Sequence, residues 1–345
     1  MVPEDLFSLA IGLVPPWLVD HVTFTVEEGR RMKKRIAALG PGVILVQTIC
    51  AHAAIPLPAR SVGYTDMTFS SKFKSSDMDL GAVRSRVYQW YLWSFFGKTA
   101  RNSDLRFNKN GTLTLKGGRT GPNGEIATAA RASGDGKFVG TAFGGGAYFE
   151  ATLAFRPTDV IKARYRGWPS FWSMAVEHLV GYGQHHGLIP AKSFQHFIEV
   201  DIFEYDLLRY MHVENVYGGA LHDWYSKRDL TGKNGLCGIT NSSIKKWVPR
   251  GTNFDQFHTY GLLWKPATRK SDGYVRFYFD GRPVGDIVKW HHCALKYHPG
   301  DKKYSLFSIL DHQHLVLILG TGIGEPMTVK SVRVFQMSSR DNIVE

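Results

Sequence analysis

Five stretches of this chain carry the two-residue period or the dense β-branched and aromatic content of a β-strand, and tight-turn dipeptides punctuate them. They are residues 112–116 (TLTLK), 148–155 (YFEATLAF), 197–202 (FIEVDI), 274–279 (YVRFYF) and 329–335 (VKSVRVF). Side chains of this kind pack well on a pleated, half-buried surface. Asn110-Gly111, Asp272-Gly273 and Asp280-Gly281 supply the residues that tight turns demand. No long amphipathic helix competes with them; residues 174–180 read as one or two helical turns. The expected fold is therefore all-β: one antiparallel β-sandwich over residues 61–338. Residues 54–60 read as a short linker and 339–345 as a C-terminal tail.

The first 53 residues read differently. Met32 is followed by Lys33, Lys34 and Arg35, then by an uncharged run from Ile36 to Ile49, then by Ala51-His52-Ala53. That order is a positive n-region, a short h-region and a small-x-small cleavage site, so residues 32–53 are expected to be a signal peptide and the protein to be secreted. The run is shorter than the roughly 20 apolar residues a membrane span needs. Residues 1–31 resemble the N-terminus of an insertion-sequence transposase and are expected to be an extension foreign to the fold. The first 53 residues hold five basic and five acidic groups, so the formal charge of +12 falls on the remainder. These charges are scattered, without the basic helix or zinc-finger spacing of nucleic-acid modules. They suit a preference for anionic glycans.

One segment carries a chemical signal. His196 to Asp206 reads HFIEVDIFEYD. On a strand Glu199 and Asp201 share a face, and Glu204, five residues from Glu199, points the other way. A one-residue bulge near Ile202–Phe203 returns Glu204 to the first face. Three acids on a short strand also suit a solvated face, but Ile198, Val200, Ile202 and Phe203 mark this one as buried. Crowded carboxyls in an apolar setting drive at least one pKa upward, giving a carboxylic acid beside a carboxylate. Glycoside hydrolysis with retention needs that asymmetry, with the two carboxyls about 5–5.5 Å apart.

Glu199-Val200-Asp201-Ile202-Phe203-Glu204 resembles the bulged signature of glycoside hydrolase family 16, the laminarinase-type jelly rolls. Gly145 to Glu150, Trp168-Pro169-Ser170-Phe171-Trp172, Phe257 to Trp264, Tyr274 to Gly281 and Lys330 to Gln336 resemble further family segments in order. The resemblance implies Glu199 as nucleophile, Glu204 as general acid/base and Asp201 as the group that hydrogen-bonds the nucleophile. It also implies Trp172, His222 and Trp224 along the cleft, with Trp168 and Trp247 as further sugar platforms. The implied activity is endo-acting, retaining cleavage of a β-linked polysaccharide, either a β-1,3-glucan or a bacterial or algal galactan or exopolysaccharide. Leu315 to Gly324 departs from the laminarinase pattern. A transglycosylase and a catalytically silent carbohydrate-binding sandwich are the alternatives.

No cofactor is required for this chemistry, and the fold leaves room for a structural calcium. The expected partner is a polysaccharide, with no nucleic acid, no membrane insertion and a monomeric state. Cys237 and Cys293 leave one disulfide and two buried thiols both open. His185-His186, His291-His292 and His312-x-His314 lack the carboxylate or thiolate spacing of a metal site. Gly320-x-Gly322-x-Gly324 is followed by Pro326 and a strand, which excludes a dinucleotide loop.

Overall fold

The computed structural model describes residues 54–344, except 93–100, 117–122, 133–137, 158–167, 181–195, 206–214, 226–227, 230–237, 241–243, 293–306, 322–325 and 340. The expected extension and signal peptide, Cys237, Cys293 and His185-His186 therefore lie outside the described residues. All five stretches expected as strands are strands, within Leu113–Leu115, Ala147–Phe155, His196–Glu204, Gly273–Phe279 and Met327–Gln336.

They belong to two large sheets. The back sheet runs in the order Gly238–Thr240, Arg282–Trp290, Gly273–Phe279, His258–Lys265, Ala147–Phe155, Met327–Gln336, Leu113–Leu115, Leu105–Phe107, with Asp66–Ser71 also paired to Met327–Gln336. The front sheet runs Arg228–Asp229, Val216–Tyr225, His196–Glu204, Ser170–Ala175, Leu315–Thr321, Asn123–Ala127, Trp90–Leu92, Met78–Asp79, with Lys245–Trp247 also on Val216–Tyr225. Apart from the parallel pair Met78–Asp79 and Trp90–Leu92, the ladders are antiparallel. This is the expected antiparallel sandwich.

The core between the sheets explains why the chain folds this way. Alternate residues of each strand point inward, among them Phe149, Val200, Tyr260, Phe277, Leu317 and Val332, all with no exposed surface. Burying each such side chain contributes about 1.5–3 kcal/mol. Trp264 and Trp290, both fully buried, donate their indole N–H groups to Asp311, which also accepts from the Ala267 amide. That carboxylate therefore satisfies three donors that burial would otherwise strand. Lys246 is also buried between the sheets, with its Nζ 4.3 Å from the centre of the Phe277 ring. Burial pushes its pKa down to about 8.

Three boundaries differ from the sequence reading. The expected linker contains a helical turn, Leu57–Arg60, in which Ala59 is fully buried. Ile343–Val344, expected as tail, pairs with Phe138–Ala142 in a third, three-stranded sheet with Ala129–Arg131. The helical turns expected from residue 174 begin at Val176, because Met174 is held in the ladder opposite Glu199 and Val316. No helix among the described residues is long and apolar enough to cross a membrane.

Candidate active site

His196–Glu204 is an interior strand of the front sheet, between Ser170–Ala175 and Val216–Tyr225. On one side Phe203 faces Phe171 while Asp201 faces Trp172, so one residue is skipped. On the other side Asp201 faces Ala220 and Glu204 faces Gly218, so three steps oppose two. Both neighbours thus report one extra residue at Ile202–Phe203, a bulge that leaves both side chains fully buried in the core. Its consequence is a change of phase. Glu199, Asp201 and Glu204 all lie on the outer face of the sheet.

Cross-strand partners share a face, so the register lays out the surroundings in rows. Met174, Glu199 and His222 form one row, Trp172, Asp201 and Ala220 the next, and Ser170, Glu204, Gly218 and Lys245 a third. Trp247 is opposite Val216, on the same face as Glu204 and 55% exposed. Gly218 has no side chain, which leaves the space between Glu204 and Lys245 open, about 10 Å across two strand spacings. Beyond Glu199 the face is closed: Trp172, Met174, Phe197, Val316 and Ile318 pack with Ala129, Phe138 and Ala142, part of it from the small third sheet.

Each acid has its own donor. Trp224 donates Nε1–H to Glu199 Oε2 at 2.7 Å, and Trp168 donates Nε1–H to Glu204 Oε1 at 2.8 Å. His222 places Nε2 3.1 Å from Asp201 Oδ2, which requires the proton on Nε2. Trp172, only 5% exposed, flanks Asp201 within the packed part of the face, whereas Trp168 is 40% exposed. The five aromatic and imidazole side chains expected along the cleft are thus all on or beside this face, and three of them bond the acids directly.

Burial dominates the electrostatics. The Glu199 carboxyl is pushed well up, first by burial and then by the Asp201 charge, with His222 and the Trp224 indole pulling the other way. Asp201 is also pushed up, by burial and then by Glu204, against the His222 contact. The two carboxyls are close enough for each to act on the titration of the other. Asp201 Oδ1 is buried and has no hydrogen-bond partner among the described residues. A proton retained by the Glu199–Asp201 pair satisfies it, and the pair titrates as a unit.

This has a measurable cost. A carboxyl whose pKa is raised on folding contributes stability below its unfolded pKa, and that contribution is lost as pH rises through the folded value. Asp201→Asn keeps the shape and the His222 contact but removes the charge. The variant should therefore gain thermal stability over wild type by a few degrees at pH 8, and by less at pH 5. Melting curves at the two pH values check this, and an advantage that does not grow with pH would refute it.

Two neighbours escaped the sequence reading. Glu125 is buried at the edge of the Glu204 row, its Cγ 3.8 Å from where a Cβ on Gly320 would sit, beside Ser170 and Trp172. Lys245 lies in the row itself. Neither has a sequence signal, because the pairing of short strands brings them in. The two histidine pairs that fall among described residues are occupied otherwise: His314 bonds Glu177, and His291 bonds Asp272.

No protein-family model matches the chain. Among curated proteins, β-agarase AgaB34 of Agarivorans albus is 32% identical over 106 residues, 28% of this chain. That alignment spans about a fifth of the agarase, 21% of its length. Among solved structures, an endo-1,3-β-glucanase from Streptomyces sioyaensis aligns over 81% of this chain and 97% of its own, with 17% identity and a TM-score of 0.48. LamA from Z. galactanivorans, in complex with laminaritriose and laminaritetraose, aligns over 79% and 99%, with 14% identity and a TM-score of 0.45. Lectin I from Ulex europaeus aligns over 77% and 96%, with 10% identity and a TM-score of 0.36.

Proposed function

We propose that this protein is an endo-acting glycoside hydrolase that cleaves a β-linked polysaccharide with retention of configuration, in the manner of glycoside hydrolase family 16. The observation that carries the reading is the bulge at Ile202–Phe203, which sets three carboxyls on one face, two of them pushed up by burial. Glu199 is the nucleophile and Glu204 the acid/base. With Glu204 Oε1 held by the Trp168 indole, Oε2 delivers the proton to the leaving oxygen. Glu199 attacks the anomeric carbon as the bond to the leaving oxygen breaks, and the proton it shared passes to Asp201, which His222 holds in place. Glu204, now a carboxylate, takes a proton from the water that releases the glycosyl-enzyme, and the Asp201 proton returns to the pair. Trp247 and Lys245, across Gly218, are placed to meet a sugar one or two units from the cleaved bond.

The candidate substrates are a β-1,3-glucan and a bacterial or algal galactan or exopolysaccharide. The aligned segment of the agarase brings in the galactan. Incubation with laminarin, mixed-linkage glucan, agarose and an anionic exopolysaccharide should release reducing ends from at least one of them. Folded protein that releases none from any would leave the carbohydrate-binding alternative standing instead.

Retention is separately testable. Both acids project from a single strand, so the gap between them should be smaller than the roughly 6.5–9.5 Å that an inverting enzyme needs to hold a water between its carboxyls. The first product seen by proton NMR should carry the β-anomeric signal; an α-anomer appearing first would exclude the double displacement.

Trp224→Phe tests the nucleophile's surroundings. The indole N–H favours ionised Glu199, so its loss raises that pKa further. The acidic limb of the kcat/KM profile should move to higher pH by about one unit, the size expected from one hydrogen bond to a charged group. An unshifted limb would mean that Glu199 does not limit the rate there.

A further inference from the structure

The outer face of the back sheet carries a second polar trough, on the opposite side of the sandwich from the carboxylates. Its volume is about 640 Å³, and it crosses the strands rather than following them. Arg106 is opposite Thr114, Thr114 opposite Thr328, and Thr328 opposite Ala154, while Leu105, Leu113 and Val329 on the same strands point into the core. Phe257, 41% exposed, stands at the far end beside Lys330, whose Nζ is 5.9 Å from the ring centre. From Arg106 to Phe257 the trough spans about 19 Å, four strand spacings. That is long enough for a chain segment and exceeds a single sugar.

Its chemistry has three parts. Arg106 and Lys109 line one end, and Arg156 lines the other. The acid lining it, Asp255, is bonded by Arg156 at 3.0 Å, so the trough stays positive. The floor is hydroxyl and amide: Asn108 donates to Thr112 and Thr114 at 2.9 Å each, and the Thr114 and Thr328 hydroxyls are 3.1 Å apart. Their mutual bonds hold these groups in place before any ligand arrives. Phe257 adds a flat apolar face.

We propose that this trough binds an acidic polysaccharide strand, with sulfate or carboxylate groups on Arg106, Lys109 and Lys330, sugar hydroxyls on Asn108 and Thr328, which the buried Thr114 holds in place, and one ring on Phe257. Cations alone would suit any polyanion; the hydroxyl floor and the single aromatic face select a glycan. The site does not depend on cleavage at the front sheet, so it can be assayed in a chain carrying Glu204→Gln.

The probe is dextran sulfate, with uncharged dextran as its neutral counterpart, followed by titration calorimetry at low and moderate salt. Dextran sulfate should bind, dextran should not, and affinity should fall with salt. Arg106→Ala with Lys109→Ala should lower affinity on the order of tenfold, whereas Arg269→Ala with Lys270→Ala, equal charge removed from the surface near Asp272, should change it less than about twofold. Lys109→Glu alone, at an exposed position, should reproduce the loss. Equal losses in the two double variants would reduce the effect to net charge and overturn the site. Binding of an oligothymidylate as tight as that of dextran sulfate would overturn the assignment to a glycan.

Discussion

Glu199→Gln and Glu204→Gln should each remove nearly all turnover on the best polysaccharide while leaving the melting temperature unchanged or raised. The amide keeps the volume and still accepts the indole hydrogen bond from Trp224 or Trp168. What it loses differs between the two. Glu204→Gln cannot deliver a proton, and a positioned acid/base is worth about 10²–10⁴-fold. Glu199→Gln cannot form the glycosyl-enzyme, so its loss should be at least as large. The roles separate on a substrate with an activated leaving group, whose departure needs no proton. Glu204→Gln should then recover its first step and accumulate the intermediate, visible by mass spectrometry as an adduct on Glu199. Glu199→Gln should recover nothing. Either variant retaining more than a few per cent of activity on the polysaccharide would refute the assignment.

Phe203→Ala should cost about 3–5 kcal/mol of folding stability. Phe203 is fully buried, and its ring centre lies 4.2 Å from that of Tyr260, 5.3 Å from Phe155 and 5.6 Å from Tyr217. The cavity would open beneath the bulge, so Glu204, the next residue, loses the anchor that sets its direction. Activity should therefore fall by more than the unfolded fraction explains. Urea unfolding checks the first part through a lowered midpoint at unchanged slope; a loss below 1 kcal/mol would show that the bulge is held by its backbone ladder instead.

Much of this architecture is legible in the chain because period-two alternation and turn dipeptides are local signals. The bulge is legible for the same reason: a spacing of five between Glu199 and Glu204 conflicts with strand parity, and a bulge is what resolves it. Other features depend on pairings that no local pattern encodes. Trp168 reaches Glu204 because Ser170 lies opposite it in the ladder, a contact across 36 positions of sequence. Lys245 and Trp247 face the acids and Lys246 the core, yet a three-residue strand is too short for its alternation to stand out. The turn at Leu57–Arg60 and the pairing of Ile343–Val344 are likewise four and two residues long, below the length at which periodicity can be read.

The three acids occupy six successive positions of one backbone segment, bonded on both sides within a sheet. No hinge falls between them. A catalytic pair drawn from two lobes can be pulled apart while each lobe stays folded, so such an enzyme can be idle and intact. Here the reacting distance is a property of the strand itself, and heat or denaturant can change it only by melting the ladder that holds it. Loss of activity and loss of the front sheet should consequently be the same event, with one midpoint and one rate.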